Sequence, residues 1–439
     1  MATDLARAVA FDVLRGVAER DAYANLELSR VLRERRITGR DAALATELVG
    51  GTLRMRGAYD AVLDQLVDRR LDDAVRDALR LGTHQLLSMR VPAHAAVATT
   101  VDLVKQQIGH RPAGLVNAVL RKVGTRSLDD WLAGRPMSER YSHPAWVVEE
   151  LDRALHRPAE LADLLRADNE RPAVTLVARP GLASLEELED LGAEPLRVSP
   201  YAATMAGGDP GGIAAVREGR AGVQDAGSQL VAVLLARAAL DGRDARWLDL
   251  CAGPGGKTAL LAALAAQRGA RVLANELQPH RARLVAQAAR AARAGLVGVV
   301  AGDGTRPAWP GLTFDRVLVD APCTGLGALR RRPESRWRRQ SSDVPALVAL
   351  QRSLLDAALS STRVGGVIAY ATCSPVVDET AGVVSALLGA RTDVELLPAP
   401  ELLPQVPDAE SAHLRGALQL WPHRHGTDAM FVALLRRNR

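Results

Sequence analysis

A chain of 439 residues is too long for one hydrophobic core, so two or three domains are expected. Hydrophobic residues make up 48% and charged residues 24%, and no run of about 18 apolar residues occurs, which excludes a membrane-spanning segment. Three cysteines exclude a disulfide framework and point to the cytoplasm, while a net charge of +5 admits a polyanionic partner without requiring one.

The first 20 residues carry acids and arginines every few positions, so they hold no secretory signal core. Residues 1–135 show helical periodicity and no strand. Leu5, Val9 and Val13 mark one stripe; Leu44 and Leu48 lie four apart in "DAALATELVGGTLRM". "VRDALRLGTHQLLSM", "AAVATTVDLVKQQIG" and "AGLVNAVLRKVG" continue the pattern, which predicts an all-α bundle. Prolines and arginines punctuate residues 136–170, read as a linker. Residues 171–225 predict a small α+β subdomain: "PAVTLVA" is a strand, "SLEELEDLG" a helix, and "AGVQDAGSQL" a strand running into a helix.

Strand and helix then alternate across residues 226–439. "RWLDLCA", "RVLANEL", "VGVVAGD", "FDRVLVDAP" and "GGVIAYATC" read as buried strands, with "KTALLAALAAQ" and "PHRARLVAQAARAA" as crossover helices. This predicts a parallel, Rossmann-like α/β domain, in which ligands bind beyond the carboxyl ends of the strands. The chemically interesting residues fall at those ends.

"LDLCAGPGGKT" ends like a phosphate-binding P-loop, but that motif needs a glycine where Cys251 stands. The glycines at 253, 255 and 256 also miss the dinucleotide spacing. What remains is a Gly-rich strand-to-helix turn, with Glu276 20 residues past Gly256, a spacing suited to a carboxylate gripping ribose hydroxyls. Asp303, at the end of the third strand, could reach an adenine amino group. A ribose clamp and an adenine contact without a full phosphate cradle point to S-adenosylmethionine. Strand-end acids are often merely solvated; the common register with the Gly turn favours the cofactor.

Lone cysteines are usually small buried hydrophobes. Here Cys251, Cys323 and Cys373 all end apolar strands of one sheet. Carbon 5 of cytosine or uracil is a poor nucleophile until a thiolate adds to carbon 6, and such covalent catalysis explains thiols beside a methyl donor. Asp320, three residues before Cys323, is placed to hydrogen-bond the ring nitrogen and exocyclic amine, which selects cytosine. The densest basic run is "LRRRPESRWRR", where Arg330, Arg331, Arg332 and Arg336 can hold phosphates and Trp337 can stack on a base. The histidines show no metal-ligand spacing, so no metal is expected.

"LDLCAGPGGKT", "DAPCTGLG" and "YATCSPVVDE" resemble the RNA cytosine-5 methyltransferases of the Nop/Sun type, from about residue 171 to the end. The first 135 residues resemble the antitermination factor NusB, and the combination is similar to the RsmB/Sun-type bacterial 16S ribosomal RNA methyltransferases. The resemblance implies that Cys373 is the nucleophile and that Cys323 assists product release. It also implies cofactor contacts at Cys251, Ala252, Gly253, Pro254, Gly255, Gly256, Lys257, Glu276, Asp303 and Asp320. The implied partner is RNA, most simply 16S ribosomal RNA. Transfer RNA remains an alternative substrate, and a non-catalytic RNA-binding assembly factor an alternative role. The family usually carries an acid-rich Glu-Asn-Glu run after its Thr-Cys-Ser; this chain has "PVVDET", which leaves Asp378 and Glu379 without an assigned role.

Overall fold

The computed structural model describes residues 4–438, so the outermost residues of the first and last expected domains lie outside it. The chain forms two compact units. One gathers the chain up to Glu149 with Leu165–Arg171 and Leu329–Arg339; the other holds Glu150–Leu164, Pro172–Ala328 and the chain from Gln340 onward.

The first unit is all-α, as its periodicity predicts. Its principal helices are Leu5–Arg20, Ala24–Glu34, Gly39–Arg54, Arg56–Leu63, Asp73–Leu87, Ala93–Gln107 and Ala113–Val123. Asp4 and Asp72 start two of them by accepting orphan backbone N–H groups, and Ser127 and Asp130 form a reciprocal capping box. Val9, Val13, Leu48, Leu79 and Leu120 form the core. Leu5, expected on the same stripe, is instead 50% exposed, while Ala6 and Ala8 beside it in the first turn are buried.

Residues 136–170 are not a linker. They contain helices Met137–Arg140, Ala145–Leu155 and Leu161–Ala167 and are shared between the two units. Pro136 and Pro144 immediately precede two of these helices, where a fixed φ and a missing N–H do little harm.

The second unit contains two sheets. Strands β1 (Val174–Ala178), β2 (Glu194–Pro195), β3 (Ala202–Met205) and β4 (Ala221–Val223) form an antiparallel sheet in the order β2-β3-β1-β4. This is the expected small subdomain, and it belongs to the same unit as the larger sheet. That sheet comprises β5 (Arg246–Asp249), β6 (Arg271–Glu276), β7 (Leu296–Ala301), β8 (Phe314–Asp320), β9 (Thr362–Thr372), β10 (Val394–Leu397), β11 (Leu418–Gln419) and β12 (Phe431–Arg437).

Its order is β10-β12-β9-β8-β5-β6-β7, with β11 pairing β12. Strands β5 to β9 run parallel, but β12 is antiparallel to both β9 and β10, so the sheet is mixed rather than purely parallel. From β5 the chain first builds outward through β6 and β7, then returns to lay β8 and β9 on the other side. That reversal opens a crevice at the carboxyl end of β5.

Candidate active site

The carboxyl ends of β5, β6, β8 and β9 present Asp249, Glu276, Asp320 and the residue pair Thr372–Cys373 respectively. After β5 the chain turns through Cys251–Gly255 into helix Gly256–Ala266. Gly255 has φ +111°, and a Cβ there would stand 2.8 Å from the Val285 Cα, so no side chain fits. A Cβ on Gly253 would fall 2.2 Å from a Glu276 oxygen. That closeness lets the Gly253 N–H donate to the Glu276 carboxylate at 2.9 Å. Glu276 also accepts from the Gln278 N–H at 3.0 Å and is 5% exposed. The Gly turn and the carboxylate are thus one structure.

Asn275 ties neighbouring strand ends together by donating to the carbonyls of Leu250 and Gly302, at 3.0 and 3.1 Å. The Ala252 N–H in turn donates to the Asn275 carbonyl. Asp249, just before Cys251, is fully buried and accepts from the Thr258 hydroxyl at 2.7 Å. Burial pushes its carboxyl up to about 7. Burial likewise raises the Cys251 thiol well above the ordinary range, which marks it as an inert thiol. Asp303 is exposed; its carboxylate is held down by Thr305, which donates from both its hydroxyl and its backbone N–H.

Lys257 donates to Asp320 at 2.8 Å, bridging the Gly turn and the β8 end. Burial opposes its charge, but Asp320 prevails and holds the ammonium above its ordinary value. Beside this pair the two remaining thiols touch: Cys323 Sγ and Cys373 Sγ are 3.5 Å apart. The contact polarises them in opposite directions. The Cys323 S–H donor lowers Cys373 and Lys257 assists, against burial and Asp320. Cys323 is raised by the same hydrogen bond and by burial. The shifts favour Cys373 as the more acidic of the two thiols, while in the contact itself either sulfur can donate.

The backbone draws the two segments together. The Gly327 N–H donates to the Cys373 carbonyl at 2.9 Å, and the Ala429 N–H to the Gly327 carbonyl at 2.9 Å. Glu379, fully buried, accepts from the Thr324 N–H at 2.8 Å and its hydroxyl at 2.5 Å, from Ser374 at 2.6 Å and from Gln351 at 3.0 Å. Neither Asp249 nor Gln351 was singled out from sequence, although Asp249 stands inside the glycine motif. Glu379 was noticed without a role; its exposed neighbour Asp378 pairs instead with Arg153.

The arginine-rich run reads differently in three dimensions. Leu329–Arg339 belongs to the helical unit. Arg336, expected to hold a phosphate, is fully buried and donates to the carbonyls of Arg54, Ser142 and Asp168 and to the Asn169 side chain. Burial depresses its guanidinium to about 10, still charged at neutral pH. Trp337, expected to stack on a base, lies edge-on against Gly57 with Arg56 over its ring at 5.5 Å. Arg336, enclosed by carbonyls, is a structural anchor, while Trp337 is half-buried. Arg330 is 9% exposed; Arg331 and Arg332 face solvent, Arg332 lying over Tyr23.

Among the described residues no cluster of three or more His, Cys, Asp and Glu side chains could hold a metal, and no helix is long and apolar enough to cross a membrane.

Residues 238–436 match the family model "16S rRNA methyltransferase RsmB/F", and residues 4–125 match the NusB family. A protein of Mycobacterium tuberculosis (strain H37Rv), named as a methyltransferase, is 51% identical over 99% of this chain and 97% of its own. The ribosomal RNA small subunit methyltransferase B of Escherichia coli (strain 536) is 33% identical, covering 83% of this chain and 85% of that one. Among solved structures, the protein PH0851 covers 100% of this chain and 99% of its own with TM-score 0.80 at 21% identity. NSun6 from Pyrococcus horikoshii covers 67% of this chain and 98% of its own with TM-score 0.56 at 19% identity.

Proposed function

The chain belongs to the RsmB/F family of S-adenosylmethionine-dependent RNA methyltransferases, and from that premise we propose that it methylates carbon 5 of a cytosine in 16S ribosomal RNA, in the cytoplasm, through a covalent cysteine–RNA intermediate. The observation that carries the proposal is the 3.5 Å contact between Cys323 and Cys373 beside the Lys257–Asp320 pair. A methyltransferase acting on an already nucleophilic exocyclic amine has no use for two thiols in contact.

S-adenosylmethionine supplies an electrophilic methyl group. The residues present fit it: Gly256 leaves room for close backbone approach, Gly253 and Gly255 let the turn close tightly on Glu276 and Val285, and Glu276 offers ribose hydroxyls the lone pairs not used by Gly253 and Gln278. Asp303 lies at the neighbouring strand end on the adenine side.

The cytosine must leave its stack to reach the sheet edge. The Cys373 thiolate adds to carbon 6, and the ring electrons move to carbon 5, which takes the methyl group. Asp320, held by Lys257, faces the ring nitrogen and exocyclic amine; it accepts from the amine and favours a protonated ring nitrogen, so the electrons pushed in by thiolate addition meet a proton rather than build up as anionic charge. A base then takes the carbon 5 proton, and its electron pair regenerates the ring double bond as the carbon 6–sulfur bond breaks and the Cys373 thiolate is expelled. Cys323, carrying its proton 3.5 Å away, assists that expulsion by donating to the departing sulfur.

Cys323→Ala is therefore expected to trap a covalent enzyme–RNA complex, seen as a slow band on a denaturing gel that RNase removes. Cys373→Ala, and the double variant, should give no band. A stable complex in Cys373→Ala but not in Cys323→Ala would reverse the two roles. Bisulfite sequencing of ribosomal and transfer RNA, with and without the gene, identifies the substrate; a site confined to transfer RNA would overturn that part of the proposal.

A further inference from the structure

We propose that Glu379 is a positioning residue for the two-thiol reaction, acting with Gln351 as a clamp that sets the distance between Cys323 and Cys373. The inference deepens the proposed function and rests on those two thiols being its reacting groups.

The two cysteines arrive on separate segments, one on the loop after β8 and the other at the end of β9. Nothing in the strand pairing itself fixes two loop side chains at 3.5 Å. Glu379 grips the residue that follows each of them. One carboxylate oxygen accepts from the hydroxyls of Thr324 (2.5 Å) and Ser374 (2.6 Å); the other accepts from the Thr324 N–H (2.8 Å) and from Gln351 (3.0 Å). Gln351 Nε2 also donates to the Pro322 carbonyl at 2.9 Å. Cys323 is thus held on both sides, at Pro322 and at Thr324, while Cys373 is held through Ser374.

A carboxylate suits this place because all four groups aimed at it are hydrogen-bond donors, and only an acceptor-only side chain satisfies them together. Glu379 is itself pinned, since the Tyr370 hydroxyl donates to its backbone carbonyl at 2.7 Å. It is fully buried, which makes these charge-assisted bonds strong and costly to leave unmade. No hydrogen bond joins the carboxylate to either thiol; it holds the loops that carry them, and its charge also raises the Cys323 thiol.

The clamp matters most at the release step. Cys373 bonds to the base while Cys323 waits with its proton, and the pair must return to contact for release. A displacement of about 1 Å between reacting groups costs up to about a hundredfold in rate.

The distance can be read directly by cross-linking. The full-length protein is treated with the thiol oxidant diamide, and the Cys323–Cys373 disulfide is followed by peptide mass, with Cys251 as an internal control. The wild type is expected to cross-link rapidly. Glu379→Ala should slow cross-linking roughly ten- to a hundredfold. Glu379→Gln, which retains one acceptor oxygen, should fall between the two. Ser374→Ala removes one arm while leaving the carboxylate otherwise satisfied, so it serves if Glu379→Ala does not fold; it should slow the reaction less. In each folded variant kcat for methyl transfer should fall while KM for RNA stays within about twofold, an affinity change of under about 0.5 kcal/mol. Cross-linking at the wild-type rate in both Glu379→Gln and Ser374→Ala would overturn the proposal. The cross-linking arm needs neither RNA nor cofactor, so it stands or falls independently of which base is methylated.

Discussion

Glu276 invites the most direct test of the cofactor site, because its carboxylate has two duties. It holds the Gly253 N–H at 2.9 Å, and it faces the ribose position with lone pairs to spare. Removing it in Glu276→Ala should delete a charged hydrogen bond to ribose, about 1.5–3 kcal/mol, or roughly ten- to a hundredfold in Kd. The loss of the Gly253 bond adds a cost of about 1 kcal/mol to the fold. Glu276→Gln separates the duties, since its amide oxygen can still accept from Gly253 while the charge is gone. Titration calorimetry with S-adenosylhomocysteine should therefore rank wild type above Gln above Ala. Thermal denaturation should show Ala less stable than Gln, and Gln close to wild type. Unchanged affinity in Glu276→Ala, in a folded protein, would refute the ribose role and leave the residue only as a brace for the turn.

Asp249 gives a pH prediction. Its folded carboxyl titrates near 7 against an ordinary 3.8, so the folded state keeps a proton the unfolded chain has released. That raised value makes the residue neutral to stability below about pH 4. It becomes increasingly destabilising as pH rises, reaching a few kcal/mol above about pH 7. Asp249→Asn should accordingly be more stable than wild type at pH 8, with the gap closing toward pH 5; parallel melting curves across that range would sink the assignment. Arginines of the basic run should divide by burial. Neutralising Arg331 and Arg332 is expected to weaken RNA binding and lower its salt slope by somewhat under one per lost phosphate contact. Arg336→Ala should instead lower the melting temperature by removing a buried charge-assisted network, about 3 kcal/mol, with cofactor affinity unchanged. The reverse pattern would restore Arg336 to the RNA surface.

Much of this architecture is readable from residue patterns because periodic burial and strand-end chemistry are local properties. The helical stripe through Val9 and Val13, the strand-turn-helix around Gly255 and the thiols at 323 and 373 all follow from spacing. What escapes such reading depends on distant partners. Nothing local distinguishes Arg336, which is fully buried, from Arg332, which faces solvent; the difference lies in carbonyls contributed near residues 54, 142 and 168. Glu379 looks like one acid of a solvated pair until Thr324 and Gln351 are brought to it. The antiparallel place of β12 between β9 and β10 is hidden for the same reason: an apolar strand does not announce its direction. The linker reading fails because prolines mark helix starts as readily as they mark breaks.

The passage of Leu329–Arg339 into the helical unit means that the two units are not beads on a string. The gene cannot be cut once to give two complete pieces. A fragment ending near residue 135 lacks the strut that carries Arg336, and a fragment lacking the helices leaves that strut, with its buried guanidinium and Trp337, exposed to water. The segment that completes the helical unit is encoded between Cys323 and Cys373, inside the stretch that otherwise builds the larger sheet. Insertions, fusions and shuffled chimeras of this protein must therefore respect five crossing points rather than one.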